Sequence, residues 1–244
     1  MAAHYDHAAE RGVPSLVWRA GQERRLQMIA KWTKLDNAAV LIAGCGVGTY
    51  ATQIRRRYTP NVEAFDIEAD RVREAQVETP HALVSAAESL PYADNLFDTI
   101  LSHEVLEHVL DDRKSIQEMV RVLKPGGRVI IFVPNRWYPF ETHGHYWRGQ
   151  YHFGNTPLIN YLPDVLRNRL APHVRAYTAH GLRGLFDGCP VKLVAHQRIY
   201  GGYDNIIARL GNTGRVVRDT LYRFEGTPFD LFGLSHLLIM EKTQ

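Results

Sequence analysis

The 244-residue chain is 45% hydrophobic and 23% charged, with a formal net charge of +3, the composition of a globular protein long enough to bury a sizeable core. So small a charge excess, with no dense Lys/Arg block, argues against a nucleic-acid partner, which calls for a clustered basic face. Two cysteines, Cys45 and Cys189, build no disulfide framework and point to a reducing, cytoplasmic setting, and no apolar run approaches the roughly 18 residues of a membrane span.

Met1–Arg11 carries His, Asp and Glu where a signal peptide needs an apolar core, and residues 1–14 read as a loose lead-in. Ser15 to Lys34 has helical spacing, with Leu26, Ile29 and Ala30 on one face and Ser15 as its cap. Residues 1–36 are thus an N-terminal helical segment. Val40-Leu41-Ile42-Ala43 then runs into Gly44-Cys45-Gly46-Val47-Gly48, followed by a helix over Thr49–Tyr58. An apolar run of this length suits a strand buried on both faces of a parallel sheet. The glycines let the chain turn sharply and let a ligand approach the free N–H groups of the next helix. Gly44, Cys45, Gly46 and Gly48 therefore form a candidate nucleotide-cofactor cradle. The spacing is Gly-x-Gly-x-Gly, with Thr49 where a dinucleotide fingerprint places its last glycine.

A second strand, Val62 to Ile67, places Asp66 22 residues beyond Gly44, near the offset of an acid that accepts from both ribose hydroxyls. The same carboxylate could cap the helix Ala69–Glu78, and it would serve NAD equally well. Further strands are expected over His81–Ala86, Asn95–Ser102 and Arg128–Pro134. A helix from Asp112 to Leu123 is stopped by Lys124-Pro125-Gly126-Gly127.

The strings Ala87-Glu88-x-Leu90-Pro91-Tyr92, Phe97-Asp98, Glu104-Val105-Leu106-Glu107-His108-Val109 and Arg121-Val122-Leu123-Lys124-Pro125-Gly126-Gly127, together with the glycine loop, span Val40 to Asn135. In order and spacing this stretch resembles the class I S-adenosylmethionine (SAM)-dependent methyltransferases, closest in pattern to the ubiquinone- and menaquinone-type enzymes and their "type 11" relatives. The resemblance implies SAM as cofactor, with Ile67, Ala87, Glu88, Ser102 and His103 joining the glycine loop and Asp66 at its site. It also implies an α/β fold, a Rossmann-like doubly wound sheet of six parallel strands and an antiparallel seventh, capped by insertions after strands five and six. Two positions depart from the family: Ile42 stands where an acid is usual, and Ala86 where an Asp accepts from the adenine amino group. Adenine recognition is then expected from backbone groups around Ala87, helped by Glu88 or Ser85.

Asn135 to Arg148 leaves the carboxyl end of the fifth strand, where open α/β sheets bind ligands, and is dense in aromatics and histidine. Asn135, Trp137, Tyr138, Glu141 and Trp147 are expected to line an acceptor pocket. The string also resembles one in bacterial methyltransferases of glycan and lipid modification. His143 and His145 are the candidate general bases, because imidazole titrates near working pH, while His108 is expected to shape the site. A metal set of Glu141, His143, His145 and His152 matches no standard spacing, and no metal is expected. Thr156-Pro157 should open a helix through Leu170, with Leu158, Tyr161, Leu162, Val165 and Leu166 as its apolar face. A short helix over Ala179–Phe186, a sixth strand over Val191–Val194 and a last strand over Leu234–Lys242 complete the sheet. Residues 206–224 alternate apolar residues with Arg209, Arg215, Arg218 and Arg223. This reads as a cap helix on its own domain, with peripheral contact to an anionic membrane as the alternative.

Residues 1–244 thus read as one domain, with substrate-side insertions at 136–190 and 201–233. The function expected is SAM-dependent methyl transfer to a small-molecule or lipid- or glycan-linked acceptor, oxygen favoured. The alternatives are a non-catalytic SAM- or S-adenosylhomocysteine-binding regulatory protein and a NAD-dependent enzyme.

Overall fold

The computed structural model describes residues 18–244; the expected lead-in and the Ser15 cap lie outside them. Helix α1 (Ala20–Trp32) precedes β1 (Val40–Ala43), α2 (Thr49–Arg57), β2 (Val62–Asp66), α3 (Ala69–Gln76), β3 (Ala82–Val84), β4 (Phe97–His103), α4 (Asp112–Val122) and β5 (Leu123–Pro134). Four short strands follow: β6 (Phe140–Glu141), β7 (His145–Trp147), β8 (Gln150–His152) and β9 (Thr156–Pro157). The chain continues through α5 (Asp164–Leu170), α6 (Ala179–Gly184), β10 (Val191–Ile199), α7 (Asp204–Leu210), α8 (Asn212–Arg223) and β11 (Ser235–Lys242).

The main sheet runs β3-β2-β1-β4-β5-β11-β10. β11 is antiparallel to both its neighbours and the other pairings are parallel, so the sheet has the six-plus-one arrangement expected. Side chains alternate across a strand, and the core follows. Val40 and Ile42 pack with Leu26, Ile54 and Val72 on one face, while Leu41 and Ala43 pack with Ile116, Met119 and Leu182 on the other. β1 has β2 on one side and β4 on the other, so the chain reverses direction across the sheet at β1. A crevice opens there at the strands' carboxyl ends.

Three expected boundaries change. β5 starts at Leu123 rather than Arg128: Leu123 pairs with Phe97 and Arg128 with Thr99, so the Lys-Pro-Gly-Gly turn bulges out between two paired positions. The sixth strand of the core, β10, runs on to Ile199. The helix expected from Thr156 is the larger correction. Thr156 and Pro157 instead pair antiparallel with Glu141 and Phe140, Leu158 adopts φ 66°, and the α-helix begins only after Pro163. Leu158, Val165 and Leu166 are exposed, and α5 buries Arg167 instead. In the 201–233 segment Gly211 divides α7 from α8. The Arg24 guanidinium of α1 lies 3.8 Å from the Tyr222 ring centroid and pairs with Glu225, tethering α8, yet Leu210, Val216 and Val217 stay exposed.

One residue ties the end of the chain to the α4 terminus. The buried Lys242 ammonium donates to the carbonyls of Val120 (2.7 Å), Arg121 (3.2 Å) and Leu123 (2.8 Å) and to Asn95 Oδ1 (2.8 Å), satisfying carbonyls that a helix end leaves unpaired. Lys242→Met should lower unfolding stability by about 2 kcal/mol, read as a lower urea midpoint at unchanged slope.

Candidate active site

The glycine loop is held by its own backbone. Gly44, Gly46 and Gly48 all have positive φ (62°, 52° and 84°), the region that favours glycine. A Cβ at Gly44 would lie 2.4 Å from Val105 Cγ2, so the loop passes against the β4–α4 segment with no room for a side chain. Gly46 N–H donates to Asp66 Oδ2 at 2.8 Å, and Glu68 N–H donates to Asp66 Oδ1 at 3.0 Å. Asp66 therefore joins the two loops that follow β1 and β2. Burial pushes the Cys45 thiol up to about 12, which leaves it inert as a nucleophile.

Between these loops and α1 lies a cavity of about 720 Å³. Gly44, Cys45, Gly46, Asp66, Ile67, Ala87, Glu88 and His103 line it, as their assignment to one site requires. Two residues of the expected set do not. Gly48 caps α2 and faces Ala75, whose Cβ would be 3.0 Å from an added one, so it serves the approach of α2 to α3. Ser102 is fully buried in β4, outside the lining. Glu88 lines the cavity, but its Oε1 accepts from the N–H groups of Leu110 (2.8 Å) and Asp111 (3.1 Å). Ser85 Oγ donates to the carbonyls of Ala86 and Ser89. Both side chains thus already brace the loops that line the cavity.

Another part of the lining is charged. Arg25 of α1 contacts His103 Nε2 and donates to Glu104 Oε1 (3.2 Å) and Ser235 Oγ (3.2 Å). Burial, then the Arg25 charge, pushes His103 down to about 3, so its imidazole is neutral at pH 7. Burial would raise Glu104, but the Arg25 charge beside it holds it down to about 2. Glu104 takes φ 58°, a strained backbone for a non-glycine residue and one that recurs at functional sites. Glu107 is 1% exposed, and both its carboxyl oxygens lack a hydrogen-bond partner. Burial, then the Glu104 charge, raises it well above the carboxylate range.

The 136–190 insertion brings one of its two candidate bases to this part of the lining. His143 lines the cavity with Thr142. Its Nδ1 is 3.2 Å from Glu141 Oε1, and its Nε2 is 3.8 Å from Glu104 and 4.0 Å from Glu107. Glu141 is buried and paired with Arg167 at 2.8 Å, so it orients His143 from behind and is not itself in the lining. His145 is turned away. It opens the β7–β8 hairpin, stacks on His152 and approaches Thr156 Oγ1 at 3.0 Å, outside the cavity. The other expected acceptor-pocket residues are outside it too. Buried Asn135 donates to the carbonyls of Leu231 and Gly233, which locks the two insertions together. Tyr138 packs on Phe140, Trp137 faces Tyr161, and Trp147 is 56% exposed.

Sequence reading missed Arg25 and Gln22 of α1, and Ser235 of β11, as lining residues. Nothing local marks them, since 78 residues separate Arg25 from His103. Glu104 and Glu107 stood in a quoted motif, and their i, i+3 spacing was the available signal.

Residues 41–131 match the family model described as "Methyltransferase domain". Among curated proteins, the chain is 31% identical over 136 residues to methyltransferase GfsG of Streptomyces halstedii, covering 52% of this chain and 49% of that protein. It is 34% identical to norajmaline N-methyltransferase of Rauvolfia serpentina (38% and 34% covered) and 29% identical to the ubiquinone biosynthesis O-methyltransferase of Xylella fastidiosa (46% and 48%). The chain thus spans half or less of the length of these relatives. A solved S-adenosylmethionine-dependent methyltransferase from Mesorhizobium loti superposes with a TM-score of 0.64 at 14% identity, covering 91% of this chain and 98% of that one. At that identity the likeness speaks for the fold alone.

Proposed function

We propose, from the methyltransferase-domain match over residues 41–131, that the chain is a class I SAM-dependent methyltransferase and transfers a methyl group to a small-molecule or lipid- or glycan-linked acceptor, at oxygen. The observation that carries this reading is a single cavity lined both by the glycine loop with Asp66 and by an oriented histidine. SAM, when bound, supplies an electrophilic methyl carbon and leaves as S-adenosylhomocysteine. The residues fit it: the cradle at Gly44 excludes any Cβ, and Asp66, pinned by two N–H groups, keeps lone pairs for ribose hydroxyls. Ile67 would supply an apolar face for adenine, and the backbone around Ala87 its edge, while Arg25 and Gln22, both in the lining, would serve the methionine carboxylate.

His143 is the residue we assign to the acceptor proton. Nδ1 is held by Glu141, so Nε2 faces the cavity and takes the proton as the acceptor oxygen attacks. Oxygen is favoured because an attacking hydroxyl must lose a proton and a base stands ready; the ubiquinone O-methyltransferase relative supports it. A cytoplasmic setting belongs to this proposal; among the described residues no helix is long and apolar enough to cross a membrane. The test is S-adenosylhomocysteine release from SAM against a panel of phenolic and hydroxylated acceptors. With an acceptor found, His143→Gln should lower kcat about 10²–10⁴-fold with little change in SAM affinity, and His145→Gln should leave kcat within about twofold of wild type. Tight SAM binding without turnover on any acceptor would reassign the chain as a SAM-binding regulatory protein.

A further inference from the structure

We propose that Glu107, His108 and His143 form a binding site for one divalent transition-metal ion in the wall of the cavity. Among the described residues these three form the one group of His, Cys, Asp and Glu that offers ligand atoms all within 4.8 Å of one another. This set differs from Glu141, His143, His145 and His152, which the structure splits between the cavity and the β7–β8 hairpin.

The arrangement around the three side chains is what a metal site needs. Each histidine has its Nδ1 committed outward. His108 Nδ1 is 3.2 Å from the carbonyl of His173, and His143 Nδ1 is 3.2 Å from Glu141 Oε1, a carboxylate fixed in turn by Arg167. Metal-bound histidines are held by such oxygen acceptors, which set the tautomer and leave Nε2 as ligand. His143 Nε2 then stands 4.0 Å from Glu107 Oε1. Bonds of about 2.0–2.2 Å to an ion bring such ligands together with side-chain shifts of about an ångström. Glu107 is the independent sign. A carboxyl group 1% exposed with no partner on either oxygen is costly, and a cation against it removes the cost. The nearby Glu104 adds negative charge, although its Oε1 is taken by Arg25 and Ser235.

Two imidazoles and one carboxylate select zinc, iron or manganese-like ions over magnesium or calcium, which prefer oxygen. Three protein ligands leave a position open toward the cavity, as catalytic rather than structural sites do. The consequence for catalysis rests on the methyl-transfer reading: with the ion bound, His143 Nε2 is a ligand and no longer the base, and the ion would instead acidify a bound acceptor hydroxyl so that its proton passes to solvent. Binding itself does not depend on that reading.

The experiment is a titration of the full chain, stripped with a chelator and free of SAM, with Zn²⁺ and Mg²⁺ by calorimetry and with Co²⁺ by visible absorption. One Zn²⁺ per chain is expected, with Mg²⁺ at least about 100-fold weaker. Glu107→Gln and His108→Asn should each weaken Zn²⁺ about 100-fold or more, and His143→Asn should remove the cobalt absorption. The double variant His145→Ala/His152→Ala, in the hairpin, should bind as wild type does. Thermal melts of the stripped variants confirm that each is folded; Glu107→Gln keeps the shape of the side chain and removes an unpaired acid. Absence of saturable Zn²⁺ binding, binding unchanged in both Glu107→Gln and His108→Asn, or binding lost only in the His145/His152 variant would each overturn the proposal. All three outcomes leave SAM binding and methyl transfer untouched.

Discussion

Replacing Arg167 with Met should lower unfolding stability by about 3–5 kcal/mol, the cost of leaving a buried charge without its partner. The Arg167 and Glu141 side chains are 3% and 2% exposed and pair at 2.8 Å. Arg167 also donates to the Val174 carbonyl at 2.8 Å and to Asn160 Oδ1 at 3.3 Å. Met fills much of the volume but neutralises nothing, so Glu141 is left charged in a dry interior. Arg167→Met/Glu141→Leu, which removes both charges, should recover more than half of the loss. Burial would raise the Glu141 carboxyl, but the hydrogen bonds from His143 and the Arg167 charge hold it below the usual carboxylate range. A depressed native pKa gives stability that is present above the unfolded-state value and lost as pH falls through the native one. The gap between wild type and Arg167→Met should therefore narrow as pH falls through and below the usual carboxylate range, which urea titrations at pH 7 and pH 3 would show. Because Glu141 also accepts from the His143 N–H at 3.0 Å, the same variant should lower kcat more than SAM affinity.

Asp66→Ala should weaken SAM at least about 100-fold, or 2.7 kcal/mol. The carboxylate accepts from the Gly46 N–H that shapes the cradle and, on the proposed reading, from the ribose hydroxyls, and Ala does neither. Asp66→Asn keeps one acceptor oxygen, so it should fall between the two. At a SAM concentration 100 times the wild-type Kd, the wild type gains about 2.7 kcal/mol of stability, a rise in melting temperature that Asp66→Ala should not show.

The parts of the molecule legible in sequence are those fixed by local physics. Val40–Ala43 followed by Gly44 names its own structure, because four apolar residues need burial on both faces and only glycine accepts the turn that follows. Helices α1 to α4 and the strands between them follow from periodicity in the same way. The 156–170 stretch misled because Leu158, Leu162, Val165 and Leu166 carry helical spacing while Pro163 interrupts it. The residue that goes inside is Arg167, drawn by Glu141 from 26 positions away. His143 and His145 look equivalent in a row of histidines, but Gly144, at φ 83°, turns the chain between them into the β7–β8 hairpin. Arg25 and Ser235 reach the cavity only through the assembled fold, so no spacing could have announced them.

The central proposal is that the cavity binds SAM. The measurement that tests it most directly is calorimetric titration of the wild-type chain with SAM, S-adenosylhomocysteine and NADH in parallel. Saturable one-to-one binding of the two sulfur compounds, and none of NADH, is the predicted result. Binding of NADH with no heat from either sulfur compound would contradict the account and return the glycine loop and Asp66 to a dinucleotide enzyme.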